Sequence, residues 1–125
     1  MSVLDASALL AYAFEEPGSE IVAEIIGTAC ISSVNFAEVL TRITRDGHSP
    51  SEFAAKAKRT NLQIKAFLAE DALMTANLAP HTRPFGLSLG DRACLALGLA
   101  SNETVYTADR IWTQLDIGAK IVSIR

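Results

Sequence analysis

Ser2-Val3-Leu4-Asp5 opens the chain, followed after Ala6-Ser7 by the apolar stretch Ala8 to Glu16 and the stop Pro17-Gly18. The first four residues read as a short buried strand that ends on a carboxylate, and the stretch after them reads as a helix. Working outward, the same order returns. Ser19 to Ile26 is a second helix, with Ile21, Val22, Ile25 and Ile26 on one face and Gly27 closing it. Ala29 to Ser32 is a second strand, and Val34 to Arg45 is the helix behind it, stopped by Asp46-Gly47. Ser49-Pro50-Ser51-Glu52 starts a helix that runs to about Arg59, with Ser49 as cap, Pro50 in the first turn and Glu52 completing a capping box. Leu62 to Phe67 alternates Leu62, Ile64 and Ala66 against Gln63 and Lys65, as a third strand would.

Asp71 to Ala79 reads as a helix stopped by Pro80, and His81 to Gly90 as a loop. Ala93 to Leu99 is apolar all round and predicts a central, buried helix. Thr104 to Thr107 is a fourth strand, Arg110 to Leu115 a short helix stopped near Gly118, and Lys120 to Ile124 a fifth strand. Strands separated by helices predict an α/β fold, a three-layer α/β/α arrangement whose central parallel five-stranded sheet is covered on both faces. In such sheets the ligand crevice lies beyond the carboxyl ends of the strands.

A chain of 125 residues, half of them apolar and 20% charged, is expected to form one domain, residues 1–125, with a sizeable core. Its longest apolar run, Ala93 to Ala100, is far short of the roughly 20 residues a bilayer span needs. Without a basic, apolar leader, the protein is expected to be cytoplasmic, with no membrane partner. Cys30 and Cys94 are too few for a disulfide framework or a zinc site and read as small core residues. His48 lies in a turn and His81 in a loop, and both read as solvated surface.

Four acids stand where parallel-sheet enzymes keep their chemistry: Asp5, Glu38, Asp91 and Asp109. Each falls at a strand exit or a helix start, and each has an ordinary explanation as a helix cap. Asp5 and Asp109 sit before helices, Glu38 pairs with Asn35 as a capping box does, and Asp91 pairs with Ser88 in the same way. The cap and a functional role coexist, because a helix N-terminus favours the ionised carboxylate that a hard cation needs. Jointly, the four are expected to face one crevice, with Asp5 and Asp109 on neighbouring strands. Oxygen-only ligation selects Mg²⁺, or Mn²⁺ in its place, over zinc. Ser7, Asn35 and Thr107 are supporting candidates whose polar groups would orient carboxylates or metal-bound water. Arg83 is a candidate phosphate contact, while Arg92 and Arg110 are expected to be solvated. Net charge is −3, and setting the four acids aside makes it +1, which neither excludes nor supports a polyanionic substrate.

At these residues the chain resembles the PIN-domain family, and within it the VapC-type toxin ribonucleases. The matching segments are Val3-Leu4-Asp5-Ala6-Ser7-Ala8, Ser32 to Val39, Gly86 to Leu97, Val105 to Asp109 with Trp112, and Ile121 to Ile124. The resemblance implies a PIN-like sheet and a Mg²⁺-dependent endoribonuclease. It also implies a type II toxin that hydrolyses phosphodiester bonds in structured RNA such as tRNA or rRNA. A cognate antitoxin and a homodimer are implied as well. The first two helices carry Leu9, Leu10, Tyr12, Phe14, Ile21, Val22, Ile25 and Ile26; most of these are expected in the core, and some in a groove for an antitoxin helix. Two other readings stay open: a Mg²⁺-dependent phosphoaspartyl enzyme, and a non-catalytic interaction module whose acids are caps only. Against the first, Ser7 stands where a second Asp is expected two residues past Asp5.

Overall fold

In a computed structural model covering residues 1–125, five short parallel strands form one sheet in the order β3-β2-β1-β4-β5. They are β1 (Ser2–Leu4), β2 (Ala29–Ser32), β3 (Gln63–Lys65), β4 (Val105–Thr107) and β5 (Ile121–Ser123). Seven α-helices connect them: α1 (Ala6–Ala13), α2 (Ser19–Ile25), α3 (Ser33–Arg45), α4 (Pro50–Arg59), α5 (Ala69–Asn77), α6 (Ala79–Thr82) and α7 (Leu89–Ser101). The sheet is parallel because each strand but the last is followed by helical chain that must return across a face before the next strand begins.

β1 is the central strand, with Val3 paired to Cys30 on one side and to Val105 on the other. Successive side chains of a strand point to opposite faces, and here that alternation separates two cores. Leu4 and Ile31 pack with Leu9, Val22, Val39 and Ile43 under α1, α2 and α3. Val3, Cys30 and Val105 pack with Cys94, Leu95, Ala96 and Trp112 on the α7 side. The expected three-layer arrangement is thus present, and the segment from Ala93 lies in the helix buried against the sheet.

Strand order reverses at β1: the chain moves from β1 outward to β2 and β3, then crosses back to place β4 on the other side. Crevices form at such switch points, beyond the carboxyl ends of the strands. α1 starts directly after β1 and α3 directly after β2, so their N-termini occupy that end of the sheet.

Several local expectations need correction. The third strand spans three residues, not six, and sits at the sheet edge. Leu62 is buried just before it, but Ile64 is 40% exposed, because an edge strand has no layer packed over that side chain. The supposed loop His81–Gly90 is largely helical: Pro80 lies in the first turn of α6, and Pro84 in the 3₁₀ turn Arg83–Phe85. A proline there loses no intrahelical hydrogen bond, so it starts a turn as readily as it ends one. α1 is offset from expectation, beginning at Ala6 because Asp5 itself caps it.

α7 approaches β4 closely at Gly98, where an added Cβ would overlap Val105 Cγ2. Gly98→Ala gains about 1 kcal/mol of helix propensity but incurs about 1–3 kcal/mol of overpacking. Net destabilisation is therefore expected in urea unfolding, and Val105→Ala in the same chain should make the combined loss smaller than the sum of the single losses. A Gly98→Ala protein more stable than the parent by the full helix-propensity gain of about 1 kcal/mol would refute the close approach.

Candidate functional site

Asp5 caps α1 from the end of β1, its Oδ1 accepting from the Ala8 amide at 2.8 Å. It is 4% exposed. Two hydroxyls donate to the same carboxylate: Ser7 Oγ at 2.7 Å to Oδ1 and Thr107 Oγ1 at 2.6 Å to Oδ2. Each hydroxyl is itself aimed by a backbone amide, Ser7 Oγ by Ala108 N at 2.9 Å and Thr107 Oγ1 by Asp109 N at 3.0 Å. Together the two hydroxyls bind β4 to the carboxylate at the end of β1.

Burial pushes the Asp5 carboxyl up to about 6; the bonds from Thr107, Ala8 and Ser7 act in the opposite direction, and the charge of Asp91 adds to the rise. Desolvation wins over three hydrogen bonds. Ionised Asp5 is therefore under-compensated by the protein itself.

Asp91 occupies the third position of α7 in a full capping box. Its Oδ2 accepts from Ser88 N at 2.9 Å, and Ser88 Oγ accepts from Asp91 N. Asp109 accepts from Ile111 N and is exposed. Glu38 departs from expectation. Ser32, not Asn35, caps α3, so Asn35 and Glu38 lie a turn inside the helix and form no capping box. Asn35 Nδ2 instead donates to Glu38 Oε1 and to the carbonyl of Gly90, both at 2.9 Å.

Three of the four acids, Asp5, Asp91 and Glu38, act electrostatically on one buried thiol. Cys94, fully buried on α7, has its thiol pushed well up by burial first and then by the charges of Asp5, Asp91, Cys30 and Glu38. Asp109 joins through its backbone amide and Thr107, with its carboxylate turned to its own helix start. As the side chains lie, no three acidic, imidazole or thiol groups are close enough to hold one ion. Asp91, Asp109 and Glu38 each direct one oxygen to the protein and keep the other free of protein partners. None of the four acids has a basic partner: the ion pairs are Met1 with Glu103, Arg42 with Asp46 and Arg45 with Asp46. Oxygen-only donors, under-compensated charge and free carboxylate oxygens suit a hard divalent cation.

Arg92 is not solvated as expected; its Nη1 donates to Thr75 O at 2.9 Å and ties α7 to α5. Arg110 is exposed, with Nε on the Arg125 carbonyl. Arg83 is exposed. Gly90 escaped notice in the sequence, although glycine in the first turn of a capped helix is a signal, since it weakens the helix it helps to start.

A family model described as "PIN domain" matches residues 2–118. Among solved structures, a toxin–antitoxin complex from Klebsiella pneumoniae contains a chain 15% identical, with TM-score 0.79, covering 100% of this chain and 98% of that one. A VapBC complex from Rickettsia felis bound to a DNA fragment from its promoter is 16% identical, with TM-score 0.74 and coverage of 98% and 97%. A sarcin-ricin-loop-cleaving VapC toxin from Mycobacterium tuberculosis is 14% identical, with TM-score 0.72 and coverage of 91% and 94%. At these identities the likeness is one of fold. No curated protein matches the sequence.

A carboxyl raised from 3.8 to about 6 binds its proton more tightly in the folded state. Its contribution favours folding below about pH 4 and is lost as pH rises through about 6, a swing of roughly 3 kcal/mol. In chelator, urea unfolding of the wild type should show that decline, and Asp5→Asn should flatten it and be at least as stable at pH 7. A wild-type profile that rises between pH 4 and 6, with Asp5→Asn unchanged in shape, would contradict the buried-acid account.

Proposed function

Because this chain belongs to the PIN-domain family, we propose that it is a Mg²⁺-dependent endoribonuclease, the toxin of a toxin–antitoxin pair, hydrolysing phosphodiester bonds in structured RNA. One observation carries this reading: a buried carboxylate, Asp5, stands at the strand-order reversal with Asp91 and Glu38 nearby and no basic side chain to balance any of them. Such a group is unfavourable for stability alone and makes sense as the binding site of a cation brought from solution.

Asp5 and Asp91 are the proposed principal ligands of Mg²⁺, with Mn²⁺ as substitute, and Glu38 and Asp109 complete the acidic set. A divalent ion bound there supplies an activated water and neutralises charge on the phosphate. Ser7 and Thr107 keep the Asp5 carboxylate in one orientation, so that no reorganisation is needed when charge develops. Backbone amides at the starts of α1 and α7 and at the Asp109 turn each donate to one carboxylate oxygen and hold that side chain in place. Exposed Arg83 is the proposed phosphate contact; Arg92 is already engaged by Thr75. The phosphoaspartyl alternative gains nothing from the site, since Ser7 stands two residues past Asp5 where a second acid is expected.

The proposed antitoxin would lie in the groove of about 690 Å³ between α1, α2 and α4, lined by Leu9, Tyr12, Ile26 and Phe53 and edged by Lys56 and Arg59. That chemistry suits an amphipathic helix with an apolar face and acidic flanks. The groove extends the surface expected from the first two helices onto α4. A homodimer is also proposed, with the exposed apolar side chains Leu68, Leu73 and Leu89 as its contact.

Asp91→Asn should abolish Mg²⁺-dependent RNA cleavage while leaving the chain folded; full activity in a clean preparation would end the proposed role. Mn²⁺ should raise the melting temperature of the wild type but not of Asp5→Ala. Co-expression with a cognate antitoxin should yield a complex that suppresses cleavage, and Lys56→Glu should weaken the complex without slowing cleavage.

A further inference from the structure

Asn35 is 1% exposed, yet its side chain is only half satisfied. The amide nitrogen lies 2.9 Å from both Glu38 Oε1 and Gly90 O. A carboxylate and a carbonyl only accept, so the nitrogen must face them; the reversed amide would set oxygen against two acceptors. Oδ1 is then left buried without a donor. A side chain kept only for stability would have both ends paired or be apolar. Its value lies with the nitrogen.

That nitrogen joins two helices. Glu38 belongs to α3, and Gly90 is the residue before Asp91 on α7. Glu38 is exposed, and a free Glu carries several rotatable bonds whose freedom is lost on fixing it. Gly90 completes the arrangement, because a Cβ there would overlap the Glu38 carboxylate. The first turn of α7 therefore tolerates a poor helix former where any larger residue would push Glu38 away.

We infer that Asn35 and Gly90 are paired positioning residues that hold the Glu38 carboxylate against the start of α7, in register with Asp91. The inference rests on the proposed metal-dependent nuclease reading and specifies how its acidic site is preorganised. Partners that orient a ligand carboxylate commonly change metal affinity by about 10–100-fold when removed.

The test uses the full-length protein and Mn²⁺ alone, by calorimetric titration without RNA. Asn35→Ala and Gly90→Ala should each weaken Mn²⁺ binding by about 10–100-fold. In a Glu38→Ala background, adding either substitution should change the affinity less than about twofold, because the carboxylate they position is gone. A merely structural role would give the same loss with and without Glu38. A metal-free readout accompanies this: the urea midpoint lowered by Gly90→Ala should be recovered in Gly90→Ala/Glu38→Ala. Should Gly90→Ala fail to fold, Asn35→Ala decides alone. Wild-type protein that binds Mn²⁺ and cleaves RNA, with Asn35→Ala binding equally tightly or losing affinity independently of Glu38, overturns this inference and leaves the nuclease reading standing. Wild-type protein with neither saturable Mn²⁺ binding nor cleavage overturns both.

Discussion

A carboxylate buried at the end of the central strand is the constraint on which the rest of this structure turns. Removing a charged group from water costs several kcal/mol even in a relaxed protein interior, and Asp5 is almost wholly enclosed. The fold answers with donors from three places: the first turn of α1 through Ala8, the Ser7 hydroxyl, and β4 through Thr107. The two hydroxyls are held in turn by the backbone amides of Ala108 and Asp109. The packing of β1 against β4, the start of α1 and the turn after β4 are thereby joined in one hydrogen-bonded unit. Even so the carboxyl is raised to about 6, because desolvation outweighs these donors.

The same end of the sheet shows why caps and chemistry share residues. A helix start exposes amide N–H groups and the positive end of the dipole, and both favour a carboxylate. Asp5, Asp91 and Asp109 each use this directly. Glu38 does not: it lies a turn inside α3 and depends on Asn35. The acids are thus held by two different devices, one local to the chain and one spanning two helices.

Much of this was legible from residue types alone. Strand–helix alternation implies the parallel sheet, and the buried helix from Ala93 follows from its lack of any polar face. The Ser88–Asp91 capping box can be read from spacing, because both partners lie within one turn. Errors arose where a local rule has two outcomes. Pro80 and Pro84 read as stops but sit in first turns. Asn35 and Glu38 have capping-box spacing, but Ser32 takes the cap because α3 begins directly from β2. Arg92, beside Asp91 in sequence, turns to the Thr75 carbonyl on α5.

Fold class, the resemblance to PIN domains and the four candidate acids all follow from residue order, since periodicity, capping and strand-end placement are short-range properties. Tertiary packing set what those acids touch. It brought Thr107 onto Asp5 across 102 positions and Asn35 onto Gly90 across 55. It also turned an unremarked glycine into the space that Glu38 occupies. Contacts between residues so far apart depend on strand order and on the close approach of two helices, neither of which is written in any local stretch of chain.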